Sequence, residues 1–232
     1  MHASLSPPAP PFDWDAIDSV FLDMDGTLLD LHFDNHFWLE YVPERFAEAR
    51  GVALDAAKED LYARYKSRLG TLEWYCVDHW SRELGLDIAL LKEEVEHLIA
   101  VHPHVIDFLD ELMCAGKRRV LVTNAHQKTL ALKMEKTRLA GFFDQVISSH
   151  QLGLPKEDPA FWPRLQNICP FDKTHTLFVD DSPGVLDSAR DYGIRWLLAV
   201  LRPDSKGPVR EAGAYPAIHD FSQVMGGLRA VE

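Results

Sequence analysis

The run from Val20 to Asp30, VFLDMDGTLLD, constrains this chain more than any other stretch. Its apolar opening suits a buried strand, and two carboxylates, a glycine and a hydroxyl follow. Side chains two apart on a strand point the same way, so Asp23 and Asp25 can face one pocket at the strand's end. Gly26 permits a sharp exit turn. Like charges this close repel, and a bound divalent cation or a shared proton relieves the cost. Asp and Gly are also ordinary turn residues, so a plain acidic turn is the competing reading.

After Leu31 the periodicity turns helical and no strand-like run appears until Val120. The spacing predicts helices over Asn35 to Arg50 with Gly51 as the stop, over Leu54 to Leu69, and over Thr71 to Leu84 ending at Gly85. A fourth carries Leu91, Val95, Leu98 and Ile99. Strands and helices then alternate. A helix from Val105 to Ala115 leads to the strand Val120-Leu121-Val122, and a helix from Gln127 to Leu139 stops at Gly141. Val146-Ile147 is a short strand. A helix from Asp158 to Asn167 precedes the strand Leu177-Phe178-Val179, and a helix opened by Pro183 and closed by Gly193 precedes the strand Trp196 to Leu201. Apolar runs alternating with helices predict a doubly wound parallel α/β sheet covered on both faces and interrupted by a helical insertion. The expected division is a loose Pro-rich arm over 1–16, a sheet domain over 17–32 and 101–232, and helices over 33–100. The tail after Arg202 reads as irregular.

Composition narrows the function. With 232 residues, 47% of them apolar, the chain can bury a substantial core. Its formal net charge of −12 argues against nucleic-acid or membrane binding and requires that any anionic ligand be attracted locally. The cysteines Cys76, Cys114 and Cys169 form no CxxC pair and read as reduced packing residues. The first dozen residues lack the character of a signal peptide, and no apolar run is long enough to span a membrane, so the expected location is cytoplasmic. Oligomeric state is not legible.

The polar residues converge. Val20-Phe21-Leu22 runs into Asp23, Val120-Leu121-Val122 into Thr123-Asn124, and Leu177-Phe178-Val179 into Asp180-Asp181-Ser182. In doubly wound sheets the ligand crevice lies at these carboxyl ends. Lys156, in Leu154-Pro155-Lys156-Glu157-Asp158, adds a cation just ahead of a helix.

With Asp23-Met24-Asp25-Gly26-Thr27, Thr123, Lys156 and Asp180-Asp181 in this order, the chain resembles the haloacid dehalogenase superfamily of aspartate-nucleophile phosphatases. The segments around Phe37-Trp38, Trp74-Tyr75-Cys76, Thr123-Asn124-Ala125-His126 and Pro155-Lys156-Glu157-Asp158 are most similar to its bacterial GMP/IMP nucleotidase branch. The resemblance implies a Rossmann-like core with an inserted α-helical cap, Asp23 as nucleophile and Asp25 as general acid and base. It implies Mg2+, for which Mn2+ can substitute, on the side chains of Asp23 and Asp181 and the carbonyl of Asp25, with Asp180 in support or exchanging roles with Asp181. Thr123, Asn124 and Lys156 would bind phosphate. Trp74, Tyr75 and His126 are the expected contacts to the rest of a small phosphate ester, GMP or IMP. Another ester, such as a phosphosugar or phosphoglycolate, is the alternative, as is a phosphomutase. A binding module without chemistry has no physical need of so many charges at strand ends.

Overall fold

The computed structural model describes residues 11–228. The first strand, β1 (Ser19–Leu22), is buried at every position. The helical stretch that follows comprises α1 (His32–His36), a wider π turn over Phe37–Tyr41, α2 (Val42–Arg50), α3 (Leu54–Arg68), α4 (Val77–Leu84) and α5 (Ile88–Glu94). The chain then alternates through α6 (Val105–Cys114), β2 (Arg118–Thr123), α7 (Gln127–Thr137), β3 (Gln145–Ser148), α8 (Phe161–Ile168), β4 (Thr176–Asp180), α9 (Pro183–Tyr192) and β5 (Trp196–Val200). A two-residue strand, β6 (Ala217–Ile218), completes the sheet.

The strands lie in the order β3-β2-β1-β4-β5-β6, and each neighbouring pair is parallel. Chain order reverses on either side of β1, so the ends of β1, β2 and β4 border the crevice where such sheets bind ligands. The register sets Leu22 beside Leu121 on one side and Val179 on the other. Asp23, Thr123 and Asp180 therefore leave the sheet close together.

Both faces are covered, which is why the strands read as continuous apolar runs. One face packs Trp14, Phe108 and Phe221 beneath α6 and the C-terminal segment, and the other packs Phe161, Trp162 and Phe178 beneath α8 and α9. Trp162 is fully buried and satisfies its indole N–H on Ser188 Oγ at 2.9 Å. The helices between β1 and β2 bury a separate cluster that includes Phe33, Phe37, Leu61, Tyr65 and Trp80.

Several local expectations are corrected. The expected loose arm lies outside the described residues over 1–10, but Phe12 and Trp14 are packed into the core and the Trp14 indole donates to Val224 O at 2.8 Å. The tail after Arg202 is not wholly irregular, since β6 pairs with β5 through Ala199↔Ala217 and Val200↔Ile218. The helix expected from Asn35 starts at His32 and widens at Phe37–Tyr41, where the Val42 N–H reaches back to Phe37 O. Helix α7 ends at Arg138, left-handed at φ 58°, rather than at Gly141. A turn over Pro155–Asp158 delays α8 to Phe161. The helix expected over Thr71 to Leu84 breaks at Cys76, whose extended backbone (φ −88°, ψ 107°) separates a 3₁₀ turn, Leu72–Tyr75, from α4.

Candidate active site

The turn after β1 is tightly pinned. The Asp23 N–H extends the ladder to Val179 O at 3.0 Å, and the amides of Leu28 and Leu29 both return to Met24 O. Gly26 occupies φ +88°, and a Cβ there would meet Asp181 Cγ at 2.7 Å and Pro203 Cβ at 2.9 Å. The turn therefore requires glycine for its dihedral and for its closeness to Asp181.

Lys156 organises the carboxylates. Its ammonium, 2% exposed, donates to Asp23 Oδ1, to Asp180 Oδ2 at 2.7 Å and to Val122 O at 3.1 Å. Burial raises the Asp23 carboxyl to about 7 against the opposing pull of Lys156, and raises Asp180 to about 6. Burial, then the Asp23 charge, raises Asp181 to about 7. Lys156 moves the other way: burial alone would lower it, but Asp180 and Asp23 outweigh that and hold it charged.

A divalent cation fits this donor set. Carboxylate oxygens of Asp23, Asp180 and Asp181 come within 4.8 Å of one another, and their raised pKa values mark a cluster short of positive charge. Oxygen-only donors suit a hard ion such as Mg2+. Asp180 has both oxygens engaged, one by Lys156 and the other by the Ser182 N–H at 2.9 Å. Among the described residues the Asp181 side chain has a single hydrogen-bond partner, Arg210 Nη1 at 2.8 Å, which favours it over Asp180 as the direct ligand.

Thr123 and Asn124 end β2 beside Asp23. The Thr123 hydroxyl accepts from the Ala125 N–H at 3.0 Å, which leaves its proton free to donate. Asn124 accepts the Lys156 N–H at 2.9 Å and donates to Glu157 Oε2 at 2.9 Å. Glu157 also accepts from the Tyr75 hydroxyl at 2.6 Å, so one carboxylate joins the loop after β2 to the helical stretch. A cavity of about 380 Å³ is lined by Thr123 and Asn124 together with Trp38, Leu39, Trp74, Tyr75 and Arg210. Trp38 and Trp74 rest edge-on or tilted against the buried Trp80, at centroid distances of 6.0 and 6.3 Å. His126 is not among the residues lining the cavity. Its ring lies 4.9 Å from that of His150, and burial lowers the pKa of both, His150 to about 4.

Sequence reasoning did not anticipate a buried charge relay behind Asp25. Lys133 Nζ, on α7 and 1% exposed, donates to Asp25 Oδ1 at 2.6 Å and also to Asp34 Oδ2. Lys92 Nζ, on α5, donates to Asp34 Oδ1 at 2.9 Å and sits 4.3 Å from the Phe37 ring centroid. Burial would raise Asp34, but Lys133 and Lys92 overcome it and hold the carboxyl at about 2. Burial raises Asp25 despite the opposing charge of Lys133. A signal existed: Lys133 follows Leu130 by three and precedes Thr137 by four, and Lys92 stands beside Leu91 between Ile88 and Val95. Each lysine interrupts the apolar stripe of its helix.

The family model of haloacid dehalogenase-like hydrolases matches residues 17–193. The chain is 40% identical over 215 residues to "GMP/IMP nucleotidase YrfG" of Escherichia coli, an alignment covering 93% of this chain and 97% of that protein. It is 25% identical over 152 residues to a phosphoglycolate phosphatase of Pseudomonas syringae pv. tomato, covering 65% and 56%. Among solved structures, a HAD phosphatase from Thermococcus onnurineus superposes with a TM-score of 0.75 at 21% identity over 90% of this chain and 94% of that one. No helix among the described residues is long and apolar enough to cross a membrane. Together with the parallel sheet and the carboxylates at its switch point, these matches place the chain in the haloacid dehalogenase-like hydrolase family.

Proposed function

We propose that this phosphoric monoester hydrolase is a cytoplasmic nucleotidase that removes phosphate from purine nucleoside 5′-monophosphates, GMP and IMP, with residues 33–100 acting as a cap over a core formed by 17–32 and 101–232. The observation that carries the reading is the cavity, which is lined both by the aromatic rings of Trp38, Trp74 and Tyr75 and by Asp23, Lys156 and Thr123. The named activity of the E. coli relative supports the choice of substrate.

In this reading an Asp23 oxygen attacks phosphorus and the bond to the 5′ oxygen breaks, forming an aspartyl-phosphate. Asp25 gives its proton to the departing oxygen, and the nucleoside leaves. Asp25 then takes a proton from the water that attacks the aspartyl-phosphate, which restores Asp23 and releases phosphate. Burial raises the Asp25 pKa against the opposing charge of Lys133, and its bond to Lys133 fixes where the carboxyl points. Thr123 Oγ1 and the Asn124 N–H donate to phosphoryl oxygens, while Lys156 holds Asp23 in place and sets positive charge beside the transferring group. Asp23, Asp181 and the Asp25 carbonyl would hold Mg2+, which when bound supplies the charge that lets an anionic nucleophile meet an anionic phosphate. Trp38, Trp74 and Tyr75 offer faces for a purine.

The test is phosphate release from a panel of nucleoside monophosphates, phosphosugars and phosphoglycolate, with and without Mg2+. Preference for GMP and IMP is expected. A phosphosugar or phosphoglycolate preference would retain the mechanism and reject the substrate, and activity only with a bisphosphorylated activator would identify a mutase.

A further inference from the structure

Beside the active site a second group of metal-ligating side chains meets, and its chemistry is unlike that of the carboxylates. Cys76, His126 and His150 each bring a ligand atom within 4.8 Å of the other two. Cys76 stands at the break ahead of α4, His126 is the residue before α7, and His150 lies on the turn Ser149–Gln151 after β3. One ligand thus comes from the helical stretch and two from the sheet side.

The individual contacts favour a ligand role over packing. Among the described residues His150 Nε2 is buried with no hydrogen-bond partner, while the ring is engaged by the Asn124 backbone. A histidine that spends one nitrogen on a backbone group and leaves the other without a partner has a nitrogen to offer a metal. Cys76 Sγ is a free thiol whose contact is a long bond from the His79 N–H at 3.4 Å. Asp78 Oδ2 lies 3.8 Å from His126 Nε2, outside the group whose atoms are all within 4.8 Å of one another, and its half-exposed side chain can turn in as a fourth ligand. Coordination has costs: using His126 Nε2 moves its proton to Nδ1 and gives up the 3.3 Å bond from the Lys128 N–H, and Asp78 must share its bond to Lys128. Both are solvent-side contacts that a metal bond outweighs.

We propose that Cys76, His126 and His150, with Asp78 as fourth ligand, bind a divalent transition metal of the zinc class and so fasten the helical stretch to the sheet at the mouth of the active site. Two imidazoles, a thiolate and a carboxylate suit zinc and cobalt at tetrahedral geometry, not magnesium. On binding, the Cys76 thiol releases its proton to solvent and no redox change occurs. Trp74-Tyr75 directly precede Cys76, and Thr123-Asn124 lie just before His126. An occupied site therefore ties the aromatic wall to the phosphate-binding loop, slows exchange of ligand through the cavity and makes zinc an inhibitor at saturating Mg2+. This effect on turnover rests on the proposed function, whereas the site itself does not.

The test titrates the reduced full chain, at saturating Mg2+, with cobalt(II). A thiolate-to-cobalt charge-transfer absorption is a signal that Asp23, Asp180 and Asp181 cannot produce. It is expected to saturate near one equivalent, to disappear in Cys76→Ser, and to need roughly tenfold more cobalt in His150→Gln. Serine can still accept from the His79 N–H, so Cys76→Ser is expected to fold. No band in the parent protein, or an undiminished band in Cys76→Ser, overturns the site. In parallel, zinc should inhibit hydrolysis of whichever ester the enzyme accepts, and Cys76→Ser should need about tenfold more zinc. Equal sensitivity of the two proteins overturns the clamp even where the cobalt band is present. Because the absorption is read without substrate, a wrong choice of ester does not affect it.

Discussion

At the scale of single residues, the least expected feature is how Asp25 is held. Sequence spacing points Asp23 and Asp25 to one side of a strand end, and that inference needs only the alternation of a strand. It does not reveal that Lys133, 108 residues later, donates to Asp25, because pairing across the fold leaves no local pattern. A buried lysine bridging two carboxylates is costly to truncate, since each acid is left without its partner. Lys133→Met should lower stability by about 3 kcal/mol, measured by denaturant unfolding. It should also lower kcat by on the order of a hundredfold while changing KM little, because the proposed acid-base group would lose its aim rather than the substrate its contacts. An unchanged kcat would make Lys133 a structural counter-ion alone. Asp23→Asn is the complementary case. It should abolish turnover and leave the far-ultraviolet circular dichroism intact, and substantial residual phosphate release would remove Asp23 from the nucleophile role.

At the scale of elements, the five longer strands and most helices were legible because short apolar runs alternated with amphipathic ones. What escaped were the irregular joints. The break at Cys76 was hidden because Leu72, Cys76, Trp80 and Leu84 share helical spacing, yet the chain there extends and the Trp80 indole donates to Trp74 O at 2.9 Å. That break sets Trp74 and Tyr75 on the cavity wall. Trp74→Ala should therefore raise KM for nucleotides by about tenfold and hardly change it for a small aryl phosphate, the difference being the lost purine face. An equal rise for both would assign Trp74 to packing. The strand β6 escaped for another reason, being two residues long within a segment broken by Pro203, Pro208 and Pro216. The tail that carries it also delivers Arg210 to Asp181. At the turn after β1, Gly26→Ala should cost about 1–3 kcal/mol for its dihedral. It should also weaken Mg2+ binding, read by calorimetry, because the added methyl displaces Asp181.

At the scale of the whole molecule, the site's charges oppose the fold that contains them. Asp23, Asp180 and Asp181 have carboxyl pKa values raised to about 7, 6 and 7 by burial first, against ordinary values near 4. Between those limits the folded protein binds more protons than the unfolded chain, so without metal its stability falls as pH rises from about 4 to 7. Asp34 carries the opposite sign. Held at about 2 by Lys133 and Lys92 in spite of burial, it contributes fully above about 4 and is lost only as the pH falls below that. The acid arm therefore lies outside the window in which the site carboxylates act. A divalent cation held by these residues would bind their ionised forms, so its effect on stability should grow over the pH range in which the metal-free protein weakens. At about 100 times its dissociation constant, Mg2+ contributes about 2.7 kcal/mol. For a protein of this size that corresponds to a rise in Tm of roughly 5–10 °C at pH 8. At pH 5 the same Mg2+ concentration should raise Tm far less, because protons compete for the same oxygens. Thermal unfolding followed by circular dichroism, with and without Mg2+ at the two pH values, checks the difference. An equal Mg2+ shift at both would mean that the raised carboxylates are not the metal's ligands.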